Sequence, residues 1–435
     1  EKNTMKTITT VVKDGEIVTS SPDVNKDNFA VAYNNEEHGQ FMKLLKSFVD
    51  DTLWVPVKIQ HTSYMPCDTV SADELAYGGA EALADTRNNS LPICVKLQDG
   101  KIICVREHLL KFLKQHGANE AAKLGPILTA GDYQCFCDSM NIGLKYVKKT
   151  IQALIRGGKI SCWVSDHNHE WSMLQQVQFL EEKLFDAFPN TEFVSAVANT
   201  LGIYVNYKLD DSLFDTDTKV SIFGERTMEA YREAWTSAGL PIEDLEKATP
   251  MVRFTTGESG LVSIGLAPYL QFPDGTEFPL GPVVSVNHRG DEKAVWGKFE
   301  TFPEQVAVIA QKGLDAIAEL CDKVIEHPLQ CMANCMTKFR ASLPSRYMYD
   351  TLDCYEASYP IDSGITCSAI LLFQELNQML DDASEALSPE RRLQNIEILA
   401  RLIYENWDAF DTTALPKWYL AKKAADEGRS KAKRK

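Results

Sequence analysis

Pro250–Asp291, PMVRFTTGESGLVSIGLAPYLQFPDGTEFPLGPVVSVNHRGD, alternates apolar and polar residues between glycines and prolines. A period of two places one set of side chains on a core and the other set on the opposite face, which is the pattern of half-buried strands. Thr255–Gly260 and Asp274-Gly275 punctuate the run as turns. The stretch therefore predicts a β-meander, and a sheet of this kind needs other elements to cover it.

Those covers are legible on both sides. Downstream, Thr301-Phe-Pro-Glu304 opens a helix whose apolar stripe runs from Val306 to Ile325, with Pro328 as its stop. Further helices are expected over Gln330–Leu343, Ile365–Leu387 and Pro389–Phe410, the last with Ser388-Pro389 in cap and first-turn positions. Upstream, Phe41, Leu44, Leu45, Phe48 and Val49 recur at helical spacing, so Glu36–Asp50 predicts an amphipathic helix. Trp54–Gln60 alternates as a strand. Asp14-Gly15 and Asp99-Gly100 mark hairpins, and Ser71-Ala-Asp-Glu74 reads as a capping box for a following helix. Helices are expected over Glu107–His116, Gln175–Phe188 and Glu225–Ala238, and strand over Lys159–Ser165 and Thr191–Lys208.

Thr129–Gly158 predicts two helices joined at Asn141-Ile-Gly143. In the second, Lys145, Lys149, Gln152 and Arg156 would share one polar face. Five basic residues and no acidic one lie between Asn141 and Ile160, in a chain of 435 residues with a net charge of −16. A nucleic-acid-facing helix, a winged helix and a merely solvated basic face are the three readings of that gap. Such an acidic total argues against a protein coated in nucleic acid. From Lys417 onward, eight Lys or Arg stand against Asp426 and Glu427. That basic end is expected to be a solvated, disordered tail.

Chemistry-bearing motifs are sparse. The eleven cysteines are scattered and mostly sit in apolar patterns, as buried reduced thiols do. Cys135-x-Cys137 and Cys331-xxx-Cys335 lack the second pair a zinc site needs. Asp166-His-Asn-His-Glu170 gathers metal-capable side chains, and His167 and His169 would need further ligands such as His288 or Glu292. A polar capping loop is the simpler reading. Asp210–Thr218 lacks the calcium-loop pattern. Thr255–Gly260 lacks the Gly-Lys-Ser/Thr ending of a phosphate loop. Neither a nucleophile elbow nor a dinucleotide fingerprint is present. Arg253, His288 and Arg289 sit on or beside the meander, where cations can hold phosphates and Phe254, Tyr269 and Phe272 can stack on bases. Aromatic residues in alternating strands more often form core.

Gly158-Lys-Ile-Ser-Cys-Trp-Val-Ser-Asp166 with its ensuing helix, Val252-Arg-Phe-Thr-Thr256, Pro279-Leu-Gly281 and Asn287-His-Arg-Gly290 together resemble an uncharacterised family of long proteins carried by bacteriophages, plasmids and integrative elements. The resemblance spans Thr129 to Phe410. That family is loosely grouped with single-strand annealing proteins, which implies a mobile-element protein assisting DNA metabolism by binding single-stranded nucleic acid.

The resulting expectations are definite. The fold class is α+β, a mainly antiparallel sheet covered by long helices, with an N-terminal α+β unit over 1–124, a main domain over 125–410 and a tail over 411–435. Lys145, Lys148, Lys149, Arg156, Lys159, Arg253, His288 and Arg289 are the candidate nucleic-acid contacts. A non-enzymatic role is favoured, with no cofactor and no bound metal. A cytoplasmic location is expected, since neither a signal peptide nor an apolar run of membrane-spanning length appears. Partners would be single-stranded nucleic acid or a host protein, and homo-oligomerisation is open. The alternative functions are an acidic factor that inhibits or scaffolds a host protein, and a metal-dependent hydrolase around the His167/His169 loop.

Overall fold

The computed structural model describes residues 12–13, 16–17, 30–106, 131–165, 171–199, 202–209, 236, 249–257, 264–272, 277–281, 283–286, 296–298, 300–361, 363–387 and 389–433. In chain order, β1 (Val12–Lys13) and β2 (Glu16–Ile17) form the first hairpin, and β3 (Ala30–Tyr33) precedes α1 (His38–Asp50). Then follow β4 (Leu53–Lys58), β5 (Ser63–Pro66), α2 (Gly79–Arg87), β6 (Ile93–Lys96), β7 (Ile102–Val105), α3 (Tyr133–Leu144), β8 (Thr150–Arg156), β9 (Lys159–Ser165) and α4 (Met173–Ala187). The central strands are β10 (Glu192–Asn199), β11 (Ile203–Lys208), β12 (Thr249–Thr256), β13 (Ile264–Gln271), β14 (Glu277–Pro279) and β15 (Val284–Val286). After them come α5 (Phe302–Asp322), β16 (Val324–Ile325), α6 (Pro328–Met336), α7 (Ser345–Ser358), β17 (Cys367–Ser368), α8 (Ala369–Ala383), α9 (Pro389–Leu402) and α10 (Lys417–Lys433). The fold is α+β, as expected.

A first sheet has the order β4-β8-β9-β7-β6-β5, antiparallel except where β7 runs parallel to β9. Alternation assigns its faces. Ile93, Val95, Ile103 and Val105 pack with Phe136, Cys137, Met140 and Leu144 of α3, while Cys94 and Cys104 pack with Ala82 and Leu83 of α2. Pro56 is accommodated because β4 is an edge strand. β8 and β9 lie beyond residue 124, so this sheet takes strands from both sides of the expected boundary.

The second helix expected before Gly158 is instead strand β8. Ile151, Ala153, Leu154 and Ile155 are all buried, and both Gly157 and Gly158 have positive φ, the geometry of a two-residue hairpin turn into β9. A Cβ on Gly158 would lie 2.5 Å from Gly78 Cα, which ties this turn closely to the start of α2. With a hairpin in place of that helix, the winged-helix reading loses its recognition helix.

The meander builds the second sheet, order β14-β13-β12-β11-β10-β3 with β15 also on β13, antiparallel throughout. Thr191–Lys208 is therefore two strands, with Val197 opposite Tyr204. On one face Val205, Tyr207, Val252, Phe254, Leu266 and Phe278 enter the large core with α1, α4, α5 and α8. Each such side chain removed from water contributes about 1.5–3 kcal/mol. Helix α5 crosses so close that a Cβ on Gly313 would fall 1.7 Å from the Leu280 carbonyl oxygen.

Three further expectations are corrected. Ser71 and Glu74 do form a capping box, on a single 3-10 turn, and α2 begins only at Gly79. Pro328 opens α6 at its first turn, where its missing N–H is harmless, and α5 ends at Asp322. The basic end is the helix α10, because Tyr419 is fully buried and Lys422 and Lys423 pair with Asp353 and Glu356 of α7. No helix among the described residues is long and apolar enough to cross a membrane.

Candidate functional site

The expected nucleic-acid contacts separate into an interior group and an exposed turn. Arg156 ends β8 under α1, where Nε and Nη2 donate to Thr52 Oγ1 at 3.1 and 2.8 Å. Its guanidinium carbon lies 4.6 Å from the Phe48 ring centroid. Lys159 is wholly buried in an ion pair with Asp85. Both stand inside the fold, not on a polar helix face. His288, Arg289 and the Asp166–Glu170 loop lie outside the described residues, as do Glu107–His116, Asp210–Thr218, Glu258–Gly260, Glu292 and all of Glu225–Ala238 but Thr236.

Arg253 is also interior. It sits on the face of the second sheet opposite Phe254, in a polar chain that crosses the strands. Asn206 Nδ2 donates to Ser195 Oγ at 2.9 Å. Asn206 Oδ1 accepts from Arg253 Nε at 2.9 Å and from Tyr269 Oη at 3.1 Å. Arg253 Nη2 donates to Glu277 Oε1 at 2.6 Å, and the guanidinium stacks 4.9 Å from the Tyr269 ring centroid. Burial pushes the Glu277 carboxyl up, but the Arg253 charge and hydrogen bond, with Arg392, outweigh it and hold the pKa below the usual carboxylate value. Burial chiefly pushes the Tyr269 hydroxyl up to about 12. Tyr269 is thus stacked by Arg253, while Phe254 is core and Phe272 packs edge-on to Phe278.

This polar chain borders a cleft of about 50 Å³ between β13–β14 and the pair α8–α9. Arg253, Tyr269 and Glu277 line it from the sheet, and Asn377, Asp381, Arg392, Asn395 and Glu397 from the helices. Asn377 Nδ2 donates to the Glu277 carbonyl oxygen at 2.7 Å, which fastens α8 to β14. Burial raises the Glu397 pKa, with Arg401 opposing. Sequence reading singled out Arg253 and Tyr269 here. It missed Glu277, Asn377 and Asn395, whose only signal is their spatial convergence.

Lys145, Lys148 and Lys149 do stay together, in the turn from α3 into β8. All three are exposed and form no ion pair with a described residue. Tyr146 between them is 82% exposed. Sequence reading took the lysines and passed over this tyrosine. From Lys149 to Arg156 the strand runs roughly 20 Å, so these cations do not converge with Arg156.

All eleven cysteines are free thiols; eight are buried, and Cys135 and Cys354 are exposed. Cys67 Sγ lies 3.4 Å from Cys94 Sγ, which lies 3.7 Å from Cys104 Sγ, in the apolar layer under α2. Among the described residues no group of three or more His, Cys, Asp or Glu is placed to hold a metal ion. Comparisons with family models, with curated proteins and with solved structures find no match to this chain.

Proposed function

We propose that the protein contacts single-stranded nucleic acid through the turn between α3 and β8. The observation that carries this reading is Tyr146, 82% exposed and flanked by the exposed Lys145, Lys148 and Lys149. An aromatic ring offers a face to any base, and adjacent ammonium groups replace the counterions of neighbouring phosphates. Two features support this turn over the rest of the surface. The lysines are not neutralised by described neighbours, and Arg156, Lys159 and Arg253 are committed to internal partners. The contact is small, so the affinity it supports is modest and strongly salt-dependent.

Fluorescence anisotropy with a labelled single-stranded oligonucleotide, titrated across salt, tests the proposal. Three phosphate contacts correspond to a slope of about −2 in log affinity against log salt. Replacing Lys145, Lys148 and Lys149 together by Ala removes that slope, and Tyr146→Ala weakens binding roughly tenfold at fixed salt. Undetectable binding at low salt, or a triple variant that binds as the parent does, sinks it.

A further inference from the structure

We propose that Cys94 and Cys104, in the apolar layer under α2, form a reactive dithiol that hydrogen peroxide converts to a disulfide. This stands apart from the nucleic-acid reading, since it uses none of the residues of the α3–β8 turn. Strand register carries it. Cys104 lies opposite Cys94 on β6 and opposite Lys159 on β9, so the three side chains form one row on one face of the sheet. Leu97 N–H donates to the Lys101 carbonyl oxygen at 2.9 Å. Alternation from that hydrogen-bonded pair makes Cys94 and Cys104 a non-hydrogen-bonded pair, in which Cα atoms stand about 4.5 Å apart. A disulfide spans about 4.4–6.8 Å between Cα atoms, and the two Sγ atoms here are 3.7 Å apart.

The row also divides the roles of the two sulfurs. Lys159 is wholly buried, with its ammonium group paired to Asp85 of α2 over the same face. Cys67 Sγ lies 3.4 Å from Cys94 Sγ on the other side. Hydrogen bonds from Cys67 and Cys94 chiefly hold the Cys104 thiol below its ordinary pKa, with the Lys159 charge adding and burial opposing. The contacts of Cys94 with Cys104 and Cys67, and its burial, push its own thiol up, so it keeps its proton. A thiolate is the form that attacks a peroxide. Cys104 is therefore the attacking sulfur and Cys94 the resolving one.

Cys104 Sγ attacks one peroxide oxygen, the O–O bond breaks, and the departing hydroxide takes a proton from solvent. Cys104 is then a sulfenic acid. Cys94 Sγ attacks that sulfur, the S–S bond forms and the S–O bond breaks, and the Cys94 proton leaves with the hydroxyl as water. The peroxide is reduced to two waters while the sulfurs lose two electrons. The entry route is an open cleft of about 500 Å³ between the end of α1, the start of α2 and the β8–β9 turn. Ala82 stands in its wall and packs in the same cluster as the three thiols, so a molecule little larger than water enters past one methyl group.

The reduced full chain, dosed with hydrogen peroxide, alkylated and digested, tests this by mass spectrometry. Trypsin cuts after Arg87, Lys96, Lys101 and Arg106, so Cys67, Cys94 and Cys104 leave on separate peptides. The first bridge should join Cys94 to Cys104, before the exposed Cys135 and Cys354 are oxidised. Its rate should change less than about threefold from about pH 8 to 6, where a thiol with the ordinary pKa of about 8.5 loses nearly a hundredfold of its thiolate. Cys104→Ala should leave Cys94 reduced at the same dose. Four results would each overturn the proposal: no bridge at a dose that oxidises Cys135 and Cys354, a first bridge that excludes Cys104, a larger fall in rate with pH, or unchanged oxidation of Cys94 in Cys104→Ala. The first three are read on the unaltered chain and do not depend on the variant folding.

Discussion

Arg253 shows what a residue's type reveals and what it withholds. Its place in the alternating meander puts it on the face opposite Phe254, where the guanidinium is buried against Glu277 and Tyr269. Nothing in the spacing of Arg253 and Glu277 announces their pairing, because it depends on the register that sets Arg253 beside Ala267 and Gln271 beside Glu277. The pair predicts an acid response. Glu277 is held below its ordinary pKa in the folded chain. Its stabilisation is therefore present above the unfolded value of about 4.3 and is lost as pH falls through the lower folded value. Glu277→Gln should flatten the dependence of unfolding free energy on pH below about 4.3, and at neutral pH it should cost about 3–5 kcal/mol, since Arg253 is left buried without its partner. Chemical denaturation at several pH values measures both; an unchanged acid limb would refute the assignment.

Elements bounded by strong local signals were readable. The Asp-Gly hairpins, the helix from Phe41 to Phe48 and the capped helix α4 follow from turn chemistry and apolar spacing, and they form as expected. Strand β8 was misread because Val147, Ile151 and Leu154 fit a helical stripe as well as a buried strand, and only tertiary pairing with β4 and β9 decides. Helix α7 was not anticipated at all; its tyrosines and acids carry no clear stripe. It is nonetheless what turns the basic end into a docked helix. Tyr419 Oη donates to Glu356 Oε2 at 3.0 Å, and Trp418 Nε1 to Thr337 Oγ1 at 3.0 Å. Tyr419→Ala should lower stability by about 3–5 kcal/mol, as loss of a fully buried aromatic does. A disordered tail would leave the melting temperature where it was.

At the scale of the whole molecule, the α+β class and the central antiparallel sheet were legible from one meander, while the division into units was not. A composition break near Gly125-Pro126 cannot reveal that β8 and β9 return to complete the first sheet, or that β3 leaves the N-terminal region to border the second. Strand pairings are long-range facts, and local pattern does not encode partners. The edge position of β3 gives a prediction. In an antiparallel pair, adjacent residues alternate between facing the partner and facing away, so prolines at both Val31 and Ala32 must delete a bond to β10. That double variant should melt earlier and scatter more light, because the edge Ala196–Asn199 is bared. Equal monodispersity and equal melting would show that β3 is dispensable.

The pairing of Val197 with Ala32 also fixes an order of events during synthesis. The segment holding β3 leaves the ribosome before any strand of the first sheet, yet its partner β10 arrives only after that whole sheet has been made. Closing so distant a contact is slow compared with forming hairpins. The nascent chain must therefore carry a strand-forming segment unpaired while the 158 residues between Tyr33 and Glu192 are made, and its exposure to chaperones is greatest before β10 emerges.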